Sequence, residues 1–135
     1  MPATILIVED HTDVRRALRD WLGLEFPRCR VIEAASGEEA IALARSESPR
    51  LVVMDIRLPG MNGIDTARQI KAALPFTQIV MLTIHTGDIY RAEARAGGAS
   101  AYVTKQKMHG ELVPTLAALL ANDSIDHQKT PFGEL

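Results

Sequence analysis

Five short segments rich in apolar and β-branched residues recur along this chain: "TILIV" at 4–8, "CRVIEAA" at 29–35, "LVVMD" at 51–55, "QIVMLT" at 78–83 and "SAYVTK" at 100–105. Each is too short for a helix and has the composition of a strand. The first, third and fourth are apolar on both faces, as strands buried on both sides of a sheet must be. The second is more polar and reads as an edge.

The segments between them carry a different period. Val14, Ala17, Leu18, Trp21 and Leu22 recur three and four residues apart, which predicts an amphipathic helix over roughly 13–25, stopped by Pro27. Ser36 and Glu39 form a capping box that opens a second helix bearing Ala40, Ile41, Leu43 and Ala44. Ile64, Ala67, Ile70 and Leu74 mark a third, ended by Pro75. A fourth, thin in apolar residues, is expected over about 88–96 on a stripe of Ile89, Ala92 and Ala96, closed by Gly97-Gly98. Leu112, Val113, Leu116, Leu119 and Leu120 line the last, which is expected to begin near Glu111 because Pro114 is poorly tolerated in a helix interior.

Strand and helix thus alternate five times. Apolar strands joined by helical crossovers give a parallel sheet covered on both faces, an α/β doubly wound five-stranded sandwich. At 135 residues the chain fills one such domain, expected over 1–121. Periodicity is lost after Ala121, so 122–135 reads as a linker or frayed tail.

Composition removes several function classes. The net charge is -2 with no dense Lys/Arg run, so a nucleic-acid surface is not expected in this segment. Cys29 is the single cysteine, which excludes an internal disulfide or a cysteine zinc site. No apolar stretch would span a bilayer and the N-terminus lacks the pattern of a signal peptide, so a cytoplasmic protein with no membrane partner is expected.

In an open doubly wound sheet, ligands bind outside the carboxyl ends of the strands. The first strand ends in Glu9-Asp10, the third in Asp55, the fourth in Thr83 and the fifth in Lys105. Taken singly these are ordinary: Asp starts turns, Thr caps helices, and Lys is a surface residue. Together they put three carboxylates, a hydroxyl and an ammonium on one rim. Like charges so close call for a cation, and all-oxygen ligands on a wet rim suit Mg²⁺. Lys105 adds a compact charge suited to a phosphate oxygen, and Thr83 a hydroxyl donor. An aspartate in such surroundings can act as a nucleophile and form an acyl phosphate. His11 and His85 suit a hard-cation site poorly and are read as surface residues.

The acidic pair Glu9-Asp10, the stretch "MDIRLPGMNG" around Asp55, Thr83 and "GASAYVTK" ending in Lys105 resemble the receiver domain of bacterial two-component response regulators. The resemblance runs from about Thr4 to Leu120. It implies a flavodoxin-like fold with strand order 2-1-3-4-5. It implies that Asp55 accepts phosphate from a sensor histidine kinase, with the domain catalysing its own phosphorylation and dephosphorylation rather than acting as an enzyme on a separate substrate. Mg²⁺ would be bound by Asp10 and Asp55 directly, by Glu9 through water, and by the Arg57 backbone carbonyl. Thr83 and Tyr102 match the family's switch pair, and the weakly anchored fourth helix would shift with them. The wording around Asp55 and Tyr102 is most similar to receivers joined to a C-terminal helix-turn-helix domain. Transcriptional output, DNA contact only through that domain, and a homodimer on phosphorylation follow as expectations. Gln106 stands where the family often has proline, and Arg57 and His85 occupy positions that tune phosphate lifetime.

Two alternatives remain at this stage. A stand-alone receiver would work by protein contact or phosphorelay. A Mg²⁺-dependent aspartyl phosphohydrolase of the haloacid-dehalogenase type would want a second Asp two residues after Asp55, where this chain has Arg57.

Overall fold

The computed structural model describes residues 2–121; the expected tail, 122–135, lies outside the described residues. Five strands, β1 (Thr4–Val8), β2 (Arg30–Ala34), β3 (Leu51–Met54), β4 (Gln78–Thr83) and β5 (Ala101–Thr104), form one parallel sheet in the order 2-1-3-4-5. The five helices are α1 (Thr12–Glu25), α2 (Gly37–Glu47), α3 (Gly63–Ala73), α4 (Asp88–Ala96) and α5 (Met108–Ala121). A 3₁₀ turn over Lys105–Lys107 joins β5 to α5. The polar second segment is indeed an edge strand, paired only with β1.

Alternation along the strands divides the core in two. Leu6, Val8, Val52, Met54, Ile79, Met81 and Tyr102 face α2, α3 and α4. Ile5, Ile7, Val53, Val80, Leu82 and Val103 face α1 and α5, where they meet Leu18, Leu22, Leu112, Leu116 and Leu119. Trp21 is only partly buried on this second side, its ring 5.7 Å from that of His109.

The helix starts follow local chemistry. Ser36 accepts a hydrogen bond from the Glu39 N–H, and Glu39 reaches back to the Ala35 N–H, so the expected box closes one residue further out than usual. Asn62 caps α3 by accepting from the Asp65 N–H.

Two expectations need correction. Helix α5 begins at Met108, not near Glu111, so Pro114 sits inside it. Proline there leaves the carbonyl of Gly110, four residues earlier, without its helical donor. Both residues are exposed, so that carbonyl is open to water, and the helix's apolar face is untouched. Helix α4 spans the expected residues but presents a different face. Ile89 is 74% exposed and Ala92 and Ala96 also face solvent; Ala94 is buried and Tyr90 half-buried.

Candidate functional site

The carboxyl edge of the sheet gathers the expected residues. Glu9 and Asp10 follow β1, Asp55 follows β3, Thr83 ends β4 and Lys105 opens the 3₁₀ turn after β5. Neighbouring strands β1 and β3 run in register to Val8 and Met54, which aligns the two acidic ends. The Asp55 N–H donates to the Val8 carbonyl at 3.1 Å, extending that pairing to the site itself.

Lys105 ties the acids together. Its Nζ donates to Glu9 Oε1 at 2.8 Å and to Asp55 Oδ2 at 3.0 Å. Glu9 is 1% exposed and Asp55 9%. The other oxygen of Asp55 accepts from the Arg57 N–H at 3.1 Å. Arg57 therefore meets Asp55 through its amide; the part expected of its carbonyl stays a proposal.

The two carboxyls are tuned in opposite directions. Burial pushes both up. At Glu9, hydrogen bonds from Lys105 and from the ring and backbone of His11 outweigh burial and hold the group below its ordinary value. At Asp55, burial outweighs the Lys105 and Arg57 contacts, and the Glu9 charge adds to the rise. Glu9 has more donors around it, so it keeps the better claim on the shared ammonium. Burial opposes the charge on Lys105, but its two carboxylates overcome this and raise it.

His11 is exposed, as expected of a surface residue, and also contacts both acids. It stands at the N-cap of α1, and its Nδ1 lies 3.0 Å from Glu9 Oε2 and 3.5 Å from Asp10 Oδ1. Glu9, Asp10 and His11 each bring one ligand atom within 4.8 Å of the others. The hydrogen bond to Glu9 and the charge of Asp10 raise His11 above the ordinary histidine value. Its place directly after two acids was the available signal.

Gly63 opens α3. A Cβ there would lie 2.1 Å from the Asp55 carbonyl oxygen and 2.9 Å from the Ile56 Cα. The first turn of α3 thus packs directly on the backbone that carries Asp55, and its N–H donates to the Ile56 carbonyl at 2.7 Å. Only a residue without a side chain permits that approach.

Thr83 is fully buried, and its Oγ1 accepts from the His85 N–H at 3.3 Å. Tyr102 is 6% exposed and donates its hydroxyl hydrogen to the His85 carbonyl at 2.8 Å. The Arg91 guanidinium lies 4.6 Å from the centre of the Tyr102 ring. Burial raises the Tyr102 hydroxyl above its ordinary value.

The donor set can be tested against a cation. Glu9, Asp10 and Asp55 carry three formal negative charges and Lys105 one positive, which leaves a site that a divalent ion would neutralise. The carboxylate oxygens are hard, and Asp10 is 34% exposed, so water can complete a shell. Mg²⁺ fits these residues.

A doubly wound sheet whose carboxyl edge holds an acid pair, a buried aspartate and a lysine that bridges Glu9 and that aspartate defines a receiver-type domain. This chain belongs to the response regulator receiver domain family, which it matches over residues 5–117. It is 36% identical over 122 residues to the DNA-binding transcriptional activator DevR/DosR of Mycobacterium tuberculosis, covering 90% of this chain and 56% of that protein. It is 32% identical over 124 residues to the transcriptional activator protein ExaE of Pseudomonas putida, covering 92% and 58%. A solved two-component response regulator of the LuxR family from Aurantimonas sp. SI85-9A1 superposes with a TM-score of 0.83 at 38% identity, covering 90% of this chain and 86% of that one. The chain spans under three-fifths of the length of those two curated relatives.

Proposed function

We propose that this domain is a phosphorylation-controlled signalling switch in which Asp55 takes a phosphoryl group from the phosphohistidine of a sensor histidine kinase. The observation that carries the reading is the Lys105 ammonium shared between Asp55 and Glu9 at the edge of the sheet. An Asp55 oxygen attacks phosphorus, the P–N bond breaks, and the imidazole leaves with the bonding electron pair. The product is an acyl phosphate on Asp55.

Phosphoryl transfer asks the protein for positioning and charge neutralisation. The β3 end and the α3 start fix the Asp55 backbone. Lys105, already at Asp55 Oδ2, is placed to pair with a phosphoryl oxygen. Glu9, Asp10 and Asp55, with the Arg57 carbonyl, would hold Mg²⁺, which supplies further positive charge to the transferring group. The Thr83 hydroxyl donates to the acyl phosphate, and Tyr102, buried against the β4–α4 loop, follows Thr83. The domain catalyses its own phosphorylation and turns over no separate substrate.

The two curated relatives named above are transcriptional activators, and the chain covers under three-fifths of their length. The output proposed here is therefore transcription, through a helix-turn-helix domain C-terminal to this one, with a homodimer formed on phosphorylation. DNA contact would belong to that domain, and the protein would work in the cytoplasm. Among the described residues no helix is long and apolar enough to cross a membrane.

The test is phosphate incorporation from acetyl phosphate, read by intact mass, with and without Mg²⁺. The wild type should gain one phosphoryl group only with Mg²⁺, and Asp55→Asn should gain none. An equal gain in Asp55→Asn would move the acceptor elsewhere.

A further inference from the structure

The loop between β4 and α4 is held at one residue from three sides. The His85 N–H donates to Thr83 Oγ1 at 3.3 Å. The His85 carbonyl accepts from Tyr102 at 2.8 Å. The His85 ring stacks on Tyr90, with centroids 4.2 Å apart and planes 20° from parallel. The first contact comes from β4, the second from β5 and the third from α4.

We propose that Tyr90 is a positioning residue: through its stack on His85 it sets the orientation of the Thr83 hydroxyl toward Asp55. This rests on the phosphoacceptor reading above. A hydroxyl oxygen that accepts from the His85 N–H has its own hydrogen directed elsewhere, free to donate to the phosphoryl group that Asp55 would carry. Where His85 sits therefore decides where Thr83 points. The backbone contacts fix the height of His85, and the ring stack resists its rotation away from the sheet. Among the described residues His85 Nε2 is buried without a hydrogen-bond partner, so that end of the ring is held by packing. Packing against Tyr90 is what remains.

The same stack is a principal tether for α4. On that helix only Ala94 is fully buried, and Ala94 is small. Tyr90 is the large side chain that reaches the core, and Arg91 adds its contact with the Tyr102 ring. Loss of the Tyr90 ring should thus free α4 and the Thr83 hydroxyl together.

The test compares Tyr90→Ala, Tyr90→Phe, Thr83→Ala and the double variant Tyr90→Ala/Thr83→Ala. Two readouts are used: hydrogen exchange of the native protein, and affinity for beryllofluoride in the presence of Mg²⁺. Tyr90→Ala should speed exchange in 84–96 and weaken beryllofluoride three- to tenfold, the range expected of one aromatic pair. Tyr90→Phe keeps the ring and should match the wild type in both. In the Thr83→Ala background, Tyr90→Ala should produce no further loss of affinity.

Equal, additive losses in the two backgrounds would make Tyr90 a general structural residue and overturn the proposal. So would unchanged exchange in Tyr90→Ala. A wild type that binds no beryllofluoride would instead refute the phosphoacceptor reading, and exchange alone would still decide whether Tyr90 holds the loop.

Discussion

The bridge of one ammonium between two buried carboxylates makes two substitutions at one contact act with opposite signs. At an effective dielectric constant of about 20, the Lys105–Asp55 contact at 3.0 Å is worth roughly 5–6 kcal/mol of attraction. Glu9 and Asp55 both touch the same Nζ, so their near oxygens are no more than about 6 Å apart and repel by roughly 3 kcal/mol on the same scale. Burial of Asp55 opposes what attraction is left, and it wins, because the Asp55 carboxyl is raised overall. In Asp55→Asn, Lys105 keeps Glu9 at 2.8 Å and no charge is stranded. The variant should be more stable than the wild type at pH 7, by about 1 kcal/mol, or roughly 4 °C in Tm. In Lys105→Met, two carboxylates face each other without their cation, and the loss should be about 3 kcal/mol.

The pH dependence has a fixed sign. A carboxyl raised in the folded state binds protons more tightly there than in the unfolded chain. Stability then falls as pH climbs from the ordinary aspartate value of about 4 through the raised folded one. The advantage of Asp55→Asn should therefore grow across that window and level off at neutral pH. Glu9, held low, works in the other sense, and its contribution is lost as pH falls through its folded value. Thermal melts of the two variants and the wild type from pH 4 to pH 8 would measure all of this. A lower Tm for Asp55→Asn at pH 7 would refute the reasoning, because it would mean that the bridge repays the burial of Asp55.

Two further outcomes follow from backbone contacts. Gly63→Ala puts a methyl group 2.1 Å from the Asp55 carbonyl oxygen, so the α3 start must move by about 1 Å. It should cost about 1–3 kcal/mol in a denaturant melt and slow acetyl phosphate labelling of Asp55 more than Gly23→Ala, a site with open space around it. Pro114→Ala restores a donor to the Gly110 carbonyl on an exposed helix face and should raise stability by about 1 kcal/mol, read in the same melt.

The sheet was readable because strands buried on both sides must be apolar throughout, and Ile5–Val8, Leu51–Met54 and Ile79–Leu82 are. The site residues were readable because a parallel sheet sends every strand's last residue to one edge. What escaped reading depended on side-chain direction and on close approach. Ala92, Ala94 and Ala96 carry the same weak signal, so nothing in the chain said that Ala94 faces inward. The tolerance of Pro114 rests on Gly110 facing solvent, which is a fact of packing. The roles of His11 and Tyr90 arise from ring positions, and that of Gly63 from a close approach to the Asp55 carbonyl, eight residues earlier.

The unequal anchoring of the helices also has a mechanical meaning. Helices α1 and α5 drive large aliphatic side chains into the core, whereas α4 inserts one methyl group and leans on an aromatic ring. Under a load applied at the edge of the sheet, a structure deforms where its stiffness is lowest. A charge placed on Asp55 would then displace α4 before α1 or α5, whatever the direction of the initial push. The compliance is written into the small side chains of one helix, so a partner that clamps α4 from outside would stiffen the site from a distance.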